Sequence, residues 1–276
     1  MTWHAALSLD YTREAGRTLA RFEHSGPPRV LQSLYPEGLG ICHNVIVHPP
    51  GGLVGGDTLD LKFTVGEGAH GLVTTPGATR FYRSDGLPAV QHGKLTLASG
   101  ARLEWLPLES IAYSGCIAGN ELSLQLEPSS EMMGWDLTAL GLPAAGQPFA
   151  QGSFTQCIEL PGVWLERARI RADDTRLLHS PIGLAGHACM ATLYFASGST
   201  LTRPRRQLTL DVAREAIARH ALASHAGATS PSAQVVVVRV LAAMVEPALG
   251  LLQQIRQAWR AELWALSAAP PRIWAT

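Results

Sequence analysis

The period of the apolar residues changes once along this chain, and that change limits the folds open to it. Before about residue 210, apolar and polar residues alternate over short runs. Leu59, Leu61, Phe63 and Val65 are separated by Asp60, Lys62 and Thr64. Leu95–Leu97, Leu103–Trp105, Leu122–Leu126 and Leu208–Leu210 repeat the pattern. Alternation sends every second side chain to one face, so each run predicts a half-buried strand. Gly, Pro, Ser or Asn part the runs at spacings typical of sandwiches, barrels or β-solenoids. No fixed-period repeat accompanies them, so the sequence does not single out a regular solenoid. After about residue 210 the step becomes three or four. Asp211 is a helix N-cap for a segment through about His220. Glu246-Pro247 opens a second helix, and Leu249, Leu252, Ile255, Trp259, Leu263 and Leu266 form its apolar face. Gln254, Arg256, Arg260 and Glu262 fall off that face. Pro270-Pro271 stops the helix, and the apolar tail Arg272-Ile273-Trp274 is expected to dock. The reading is mainly β. One large irregular β domain, solenoid- or sandwich-like, spans residues 1–276, with a helical region from about 211 to 267 packed on it.

Composition narrows the function classes. The chain is 46% hydrophobic and only 16% charged, with 22 basic and 22 acidic residues. A neutral chain carries no electrostatic footprint for nucleic acid. The one basic cluster, Arg203-Pro204-Arg205-Arg206, reads as a solvated loop. The four cysteines, Cys42, Cys116, Cys157 and Cys189, lie far apart without C-x-x-C and read as buried free thiols. The N-terminal segment lacks a signal peptide's apolar core. Uncharged apolar runs such as Val235–Val238 are too short to span a bilayer. A cytoplasmic protein with no membrane partner is expected.

No compact metal motif links the ten histidines, so no stable metal site is predicted. Walker A and nucleophile-elbow motifs are absent. The carboxylates Asp57, Glu104, Asp136 and Glu166 each stand beside large apolar residues, where a charge needs a partner, a hydrogen bond or water. Two readings of them stay open on residue type. They are turn caps and strand positions, or they are pairs, such as Asp57 with Glu104 or Asp136 with Glu166, that work on a glycosidic bond. In the second case Trp105, Trp135 and Trp164 stack sugars, and the chain is a β-rich carbohydrate-active hydrolase or lyase.

The segment from His48 to Ser84 carries a more specific signal. Pro49–Asp57 reads PPGGLVGGD, with Gly51, Gly52, Gly55 and Gly56 shaping a tight loop. Thr74–Arg83 reads TTPGATRFYR. LEWLP follows at Leu103–Pro107, GWD at Gly134–Asp136, an F-x-x-G at Phe149–Gly152, Leu-Glu-Arg at Leu165–Arg167 and Arg-Val-Leu at Arg239–Leu241. The chain ends PRIWAT from Pro271 to Thr276. This ordered set resembles the urease accessory protein UreD (UreH) family over nearly the whole chain. Arg80 stands where the family usually has Lys, and Leu108 where it has Gln. Leu142 and Gln147 replace a usual Arg and Glu.

That resemblance implies a non-enzymatic scaffold. It would bind apo-urease, the accessory protein UreF and, through UreF, the GTPase UreG, and would assist nickel delivery to the urease active site. It implies an internal, water-filled passage, with Asp57, Glu104, Asp136 and Glu166 as candidate stations for transient Ni²⁺ and no tightly bound cofactor. Tyr82, Arg83, Arg272 and Trp274 are candidate partner-interface residues, since aromatic and Arg side chains favour interfaces.

Overall fold

The computed structural model of the chain describes residues 2–267 and 270–275. Thr276, which ends the PRIWAT run, lies outside the described residues. The strands begin with β1 (His4–Glu14), β2 (Arg17–Ser25), β3 (Arg29–Leu34), β4 (Cys42–Val47), β5 (Gly52–Leu53), β6 (Thr58–Val65) and β7 (His70–Thr74). They continue with β8 (Thr79–Phe81), β9 (Ala89–Leu97), β10 (Arg102–Leu106), β11 (Ser110–Ala112), β12 (Cys116–Leu126) and β13 (Glu131–Leu142). After β14 (Gln147–Pro148), β15 (Gly152–Leu160) and β16 (Trp164–Arg171) come helix α1 (Thr175–His179), β17 (Cys189–Ser197) and helix α2 (Arg203–Ala218). The chain closes with β18 (Ala226–Ser232), β19 (Val235–Ala242) and helix α3 (Val245–Trp264).

The middle of the chain winds as a solenoid. From β6 it crosses to β7, then to β8, and returns to lay β9 parallel to β6. Two further passes, through β10 and β11 to β12 and through β13 and β14 to β15, stack on the first in the same sense. One sheet runs β16-β15-β12-β9-β6-β1-β2, and the other runs β18-β19-β17-β13-β10-β7-β4-β3. β5, β8 and β11 make a narrow third face. Thr58 pairs with Val90, Val90 with Gly119 and Gly119 with Thr155, so successive coils step by 32, 29 and 36 residues. Unequal coils leave no fixed period, which is why the sequence shows none. Antiparallel strands cover the ends, as β2 does on β1 and β16 on β15.

Two apolar layers follow. Between the sheets, Leu59, Leu61, Phe63 and Val65 meet Leu95, Leu103, Leu122 and Phe154. Behind the second sheet, Trp135, Leu137, Phe195, Val236 and Val238 meet Leu251, Leu252, Ile255 and Trp259 of α3. β13 and β19 are therefore buried on both faces, and neither MMGWDLTAL nor VVVV shows the alternation of a half-buried strand.

The C-terminal region differs from the sequence reading in three ways. α2 starts at Arg203, not near Asp211. Thr202 is the N-cap, its Oγ1 accepting from Arg205 N at 3.4 Å, and Pro204 sits in the first turn. The expected strand Leu208–Leu210 and the expected loop Arg203–Arg206 are thus both helical, with Thr209, Leu210, Ala213 and Ile217 on the buried side. The hairpin β18–β19 interrupts the helical region. Arg256 and Arg260 are fully buried, although their spacing places them off the apolar face. The cysteines are buried and free, as expected. Among the described residues no helix is long and apolar enough to cross a membrane.

Candidate functional site

The four carboxylates singled out in the sequence fall into three environments. Glu104 points from β10 toward α3, away from the space between the sheets. Its Oε2 accepts from Arg256 Nε at 2.7 Å, with Arg256 Nη2 at 2.6 Å, and its Oε1 accepts from Arg260 Nη1. His70 Nε2 stands 3.3 Å from Oε1. Arg260 also donates to Glu37, which His43 Nε2 meets at 2.9 Å. Burial alone would push the Glu104 carboxyl up. The His70 contact and the two guanidinium groups outweigh it and hold the group down at about 2. Glu104 is a charge fully spent on arginine, and it fastens α3 to the sheet.

Asp57 is 1% exposed and serves its own loop. Its Oδ2 accepts from Val54 N at 2.9 Å and its Oδ1 from Trp3 N at 3.2 Å. Both bonds give an acceptor to part-buried backbone donors.

Asp136 and Glu166 belong together. In the first sheet Gln91, Asn120 and Gln156 are register partners on β9, β12 and β15. In the second, Asp136, Thr192 and Arg239 are partners on β13, β17 and β19. The two polar rows face one another inside an otherwise apolar layer. Gln91 Nε2 donates to Asn120 Oδ1 at 3.0 Å, and Asn120 Nδ2 donates to Asp136 Oδ2 at 2.7 Å. Thr138 Oγ1 donates to Asp136 Oδ1 at 3.1 Å. From β16, Glu166 Oε1 accepts from Thr192 Oγ1 at 3.2 Å and from Arg239 Nε at 2.9 Å, and Oε2 accepts from Arg239 Nη2. Gln91 lines a cavity of about 190 Å³ beside His48, Thr75 and Trp105. Glu166, Thr192 and Arg239 line another of about 430 Å³. The seam therefore runs from one cavity to the other.

Burial pushes the Asp136 carboxyl up to about 6. Hydrogen bonds from Thr138, Asn120 and Gln156 pull against burial, and the nearby Glu166 charge adds to it. Fully buried Tyr194 lies within reach of the Asp136 charge, and its hydroxyl has no hydrogen-bond partner among the described residues. Such a group calls for water or an ion. The seam's oxygens are carboxylate, amide and hydroxyl, a set that binds a divalent transition metal weakly. Among the described residues no three His, Cys, Asp or Glu side chains converge to hold a metal ion.

Comparison with known proteins agrees with the motifs. The profile of the family described as UreD urease accessory protein matches residues 4–275. The chain belongs to that family. The urease accessory protein UreD of Polaromonas sp. (strain JS666 / ATCC BAA-500) is 66% identical over 274 residues, 99% of each chain. The one from Polaromonas naphthalenivorans (strain CJ2) is 68% identical over 274 residues, again 99% of each. That of Variovorax paradoxus (strain S110) is 63% identical over 276 residues and all of both chains. The role is that of a urease accessory protein.

The family's glycine loop is a packing device. Gly56 has φ +93°, and a Cβ on Gly52 would stand 2.4 Å from the Arg80 carbonyl oxygen. The loop thereby lies flat on β8. Of the interface candidates, Tyr82 is half-buried against Tyr113, ring centroids 5.1 Å apart, and Arg83 is exposed. Trp274 turns inward. Its Nε1 donates to Thr74 Oγ1 at 2.8 Å, and its ring lies 5.3 Å from that of Trp135, with the Arg256 guanidinium 5.6 Å from it. Arg272 is exposed. The carbohydrate reading gains no support from the aromatic side chains. Trp105, Trp135 and Trp164 are 5%, 0% and 7% exposed and offer no sugar platform, and Asp57 and Glu104 open on no cleft. Sequence reasoning missed Asn120, Gln156, Thr192 and Arg239. Their signal was a polar residue on the inward phase of an alternating strand, as at Asn120 and Gln156.

Proposed function

We propose that the chain is a maturation scaffold that holds apo-urease together with UreF and, through UreF, UreG, and passes Ni²⁺ along the seam between its two sheets. The observation that carries this reading is the pair of facing polar rows joining two cavities through an apolar layer. Burying that many polar groups is costly unless they are used or wetted. Oxygen donors spaced along a path suit an ion that has to leave again, whereas a closed cage of imidazole or thiolate would keep it. Asp136 and Glu166 are the stations of this path. Asp57 and Glu104 are withdrawn from it, the first as a loop cap and the second as a counter-ion.

The test is co-expression with apo-urease and the other accessory proteins at limiting nickel. Asp136→Asn should lower nickel per urease active site while the assembly is still captured intact by pull-down. Full nickel loading by both Asp136→Asn and Glu166→Gln would remove the seam from the delivery route.

A further inference from the structure

Resting on the passage reading above, a second role follows for the residue at the mouth of the seam. Glu166 and Arg239 share the wall of the cavity of about 430 Å³, with Gly183–Ala185 and Ser224–Gly227 around them. An ion entering there meets a carboxylate whose two oxygens already accept from Arg239. We propose that Arg239 is a displaceable counter-ion that gates this mouth. A divalent cation binds Glu166 only by turning the guanidinium out into water, and the guanidinium returns when the ion moves inward toward Asp136.

Two observations carry this. The Arg239 side chain is 51% exposed, so it has solvent to turn into, while Arg256 and Arg260 on Glu104 are at 0% and have none. Water on the arginine side screens the attraction and solvates the guanidinium when the pair parts, while Glu166, 15% exposed, then takes the incoming cation as its counter-charge. Thr192 Oγ1 touches Glu166 Oε1 from inside the seam and stays as a neutral oxygen donor when Arg239 leaves. The exchange also selects by charge. A monovalent cation offers Glu166 one charge in place of one, against a bidentate hold. A dication offers twice the Coulomb attraction at the same distance. The empty site is thus kept neutral and closed to monovalent ions.

Equilibrium dialysis of Ni²⁺ against the purified full chain at pH 7.5 tests the proposal. Arg239→Gln should tighten Ni²⁺ binding about two- to fivefold, the range of an exposed ion pair removed as competitor. The gain should vanish in the double variant Arg239→Gln/Glu166→Gln. If Arg239→Gln binds nickel no more tightly than the wild type, or if the gain survives in the double variant, the gate is overturned. Should Arg239→Gln fail to fold, Arg239→Lys serves, because a point charge gives up the bidentate hold, and a smaller tightening of the same sign is expected. An unchanged Arg239→Lys would then count against the gate. Nickel loading of urease separates this from the passage itself. Tightening in the dialysis with full loading by Asp136→Asn and Glu166→Gln keeps the exchange at Glu166 and discards the route. Poor loading by those variants without tightening keeps the route and discards the gate.

Discussion

Under α3, Glu104 holds two arginines that water does not reach; between the sheets, Glu166 holds one that water half covers. The first carboxylate comes from a central strand and meets a helix 152 to 156 residues away in sequence. The second lies on an edge strand at the wall of a cavity. The same chemistry has opposite consequences because desolvation differs. A buried pair cannot be half broken, since losing one member leaves a charge that nothing solvates. A pair whose arginine is half exposed parts at less cost once a cation replaces the arginine on Glu166. The molecule therefore has a locked ionic cluster that fastens its helical layer and an exchangeable pair that ends its polar seam.

The largest effect should come from breaking the locked side. Glu104→Ala leaves two buried guanidinium groups without a counter-charge and should cost about 3–5 kcal/mol, a fall in Tm of roughly 6–20 °C for a chain of this size. The Glu104 carboxyl is depressed to about 2 from 4.5. A depressed carboxyl contributes stability above its unfolded pKa and loses it as the pH falls through the folded one. The gap between wild type and variant should therefore hold at neutral pH and close between about pH 4.5 and 2. Thermal unfolding followed by circular dichroism reads both. A loss under 1 kcal/mol would mean that the cluster is no lock. Asp57→Ala should come next, at about 2 kcal/mol, because the backbone donors of Val54 and Trp3 lose their acceptor. Neither change should alter nickel binding to the folded chain, and a specific loss there would blur the division.

How much of this division the sequence carried depends on whether neighbours along the chain decide a residue's fate. Asp57 was legible as a cap, because a carboxylate closing a glycine loop faces local donors. The strand β6 was legible because one of its faces is wet and alternation survives. β13 and β19 hide their period by being buried on both faces. α2 starts early because Thr202 and Pro204 outweigh the short alternation at Leu208–Leu210. Glu104 and Glu166 were indistinguishable, each lying in a strand beside Trp or Leu. Their arginines come from α3 and β19, and only the folded chain pairs them. Arg256 and Arg260 read as solvent-facing for the same reason, since the pattern of a helix face records polarity and not a distant partner.

A smaller effect, of the opposite sign, should appear in the seam. Burial raises the Asp136 carboxyl from 3.8 to about 6. A raised carboxyl binds its proton more tightly when folded, so stability falls as the pH climbs from about 4 to 6 and the full cost is present at pH 7. Asp136→Asn removes that cost, at most roughly 3 kcal/mol. One hydrogen bond must reverse its direction, with Thr138 turning from donor to acceptor, which takes back part and leaves a net gain of about 1 kcal/mol. Tm should rise at pH 7, and the rise should fade as the pH drops through 6 toward 4. A variant that is less stable at pH 7 than wild type would show that the charge on Asp136 is structural.

The smallest stability effect should be paired with a clear functional one, and that pairing is the sharpest test of the comparison. Glu166→Gln breaks the pair with Arg239, yet the arginine is half exposed and solvates itself, so the change should stay within about 1 kcal/mol. Thr192 still finds the amide oxygen as its acceptor. The folded chain should keep its partners, because no residue of the α3 cluster is touched. What disappears is the carboxylate that the seam presents at its wider cavity, and a Ni²⁺ ion there loses its best oxygen donor. Since Asp136 and the amide oxygens remain, nickel per urease active site should fall by a factor on the order of two to five at limiting metal, and it should recover when nickel is raised. Measuring Tm and nickel content on the same preparation separates the two regions. A Tm drop of the size expected for Glu104→Ala would make Glu166 a second lock. An unchanged Tm with full nickel loading would leave Glu166 without a role in delivery. Only unchanged stability with reduced nickel fits a pair built to come apart.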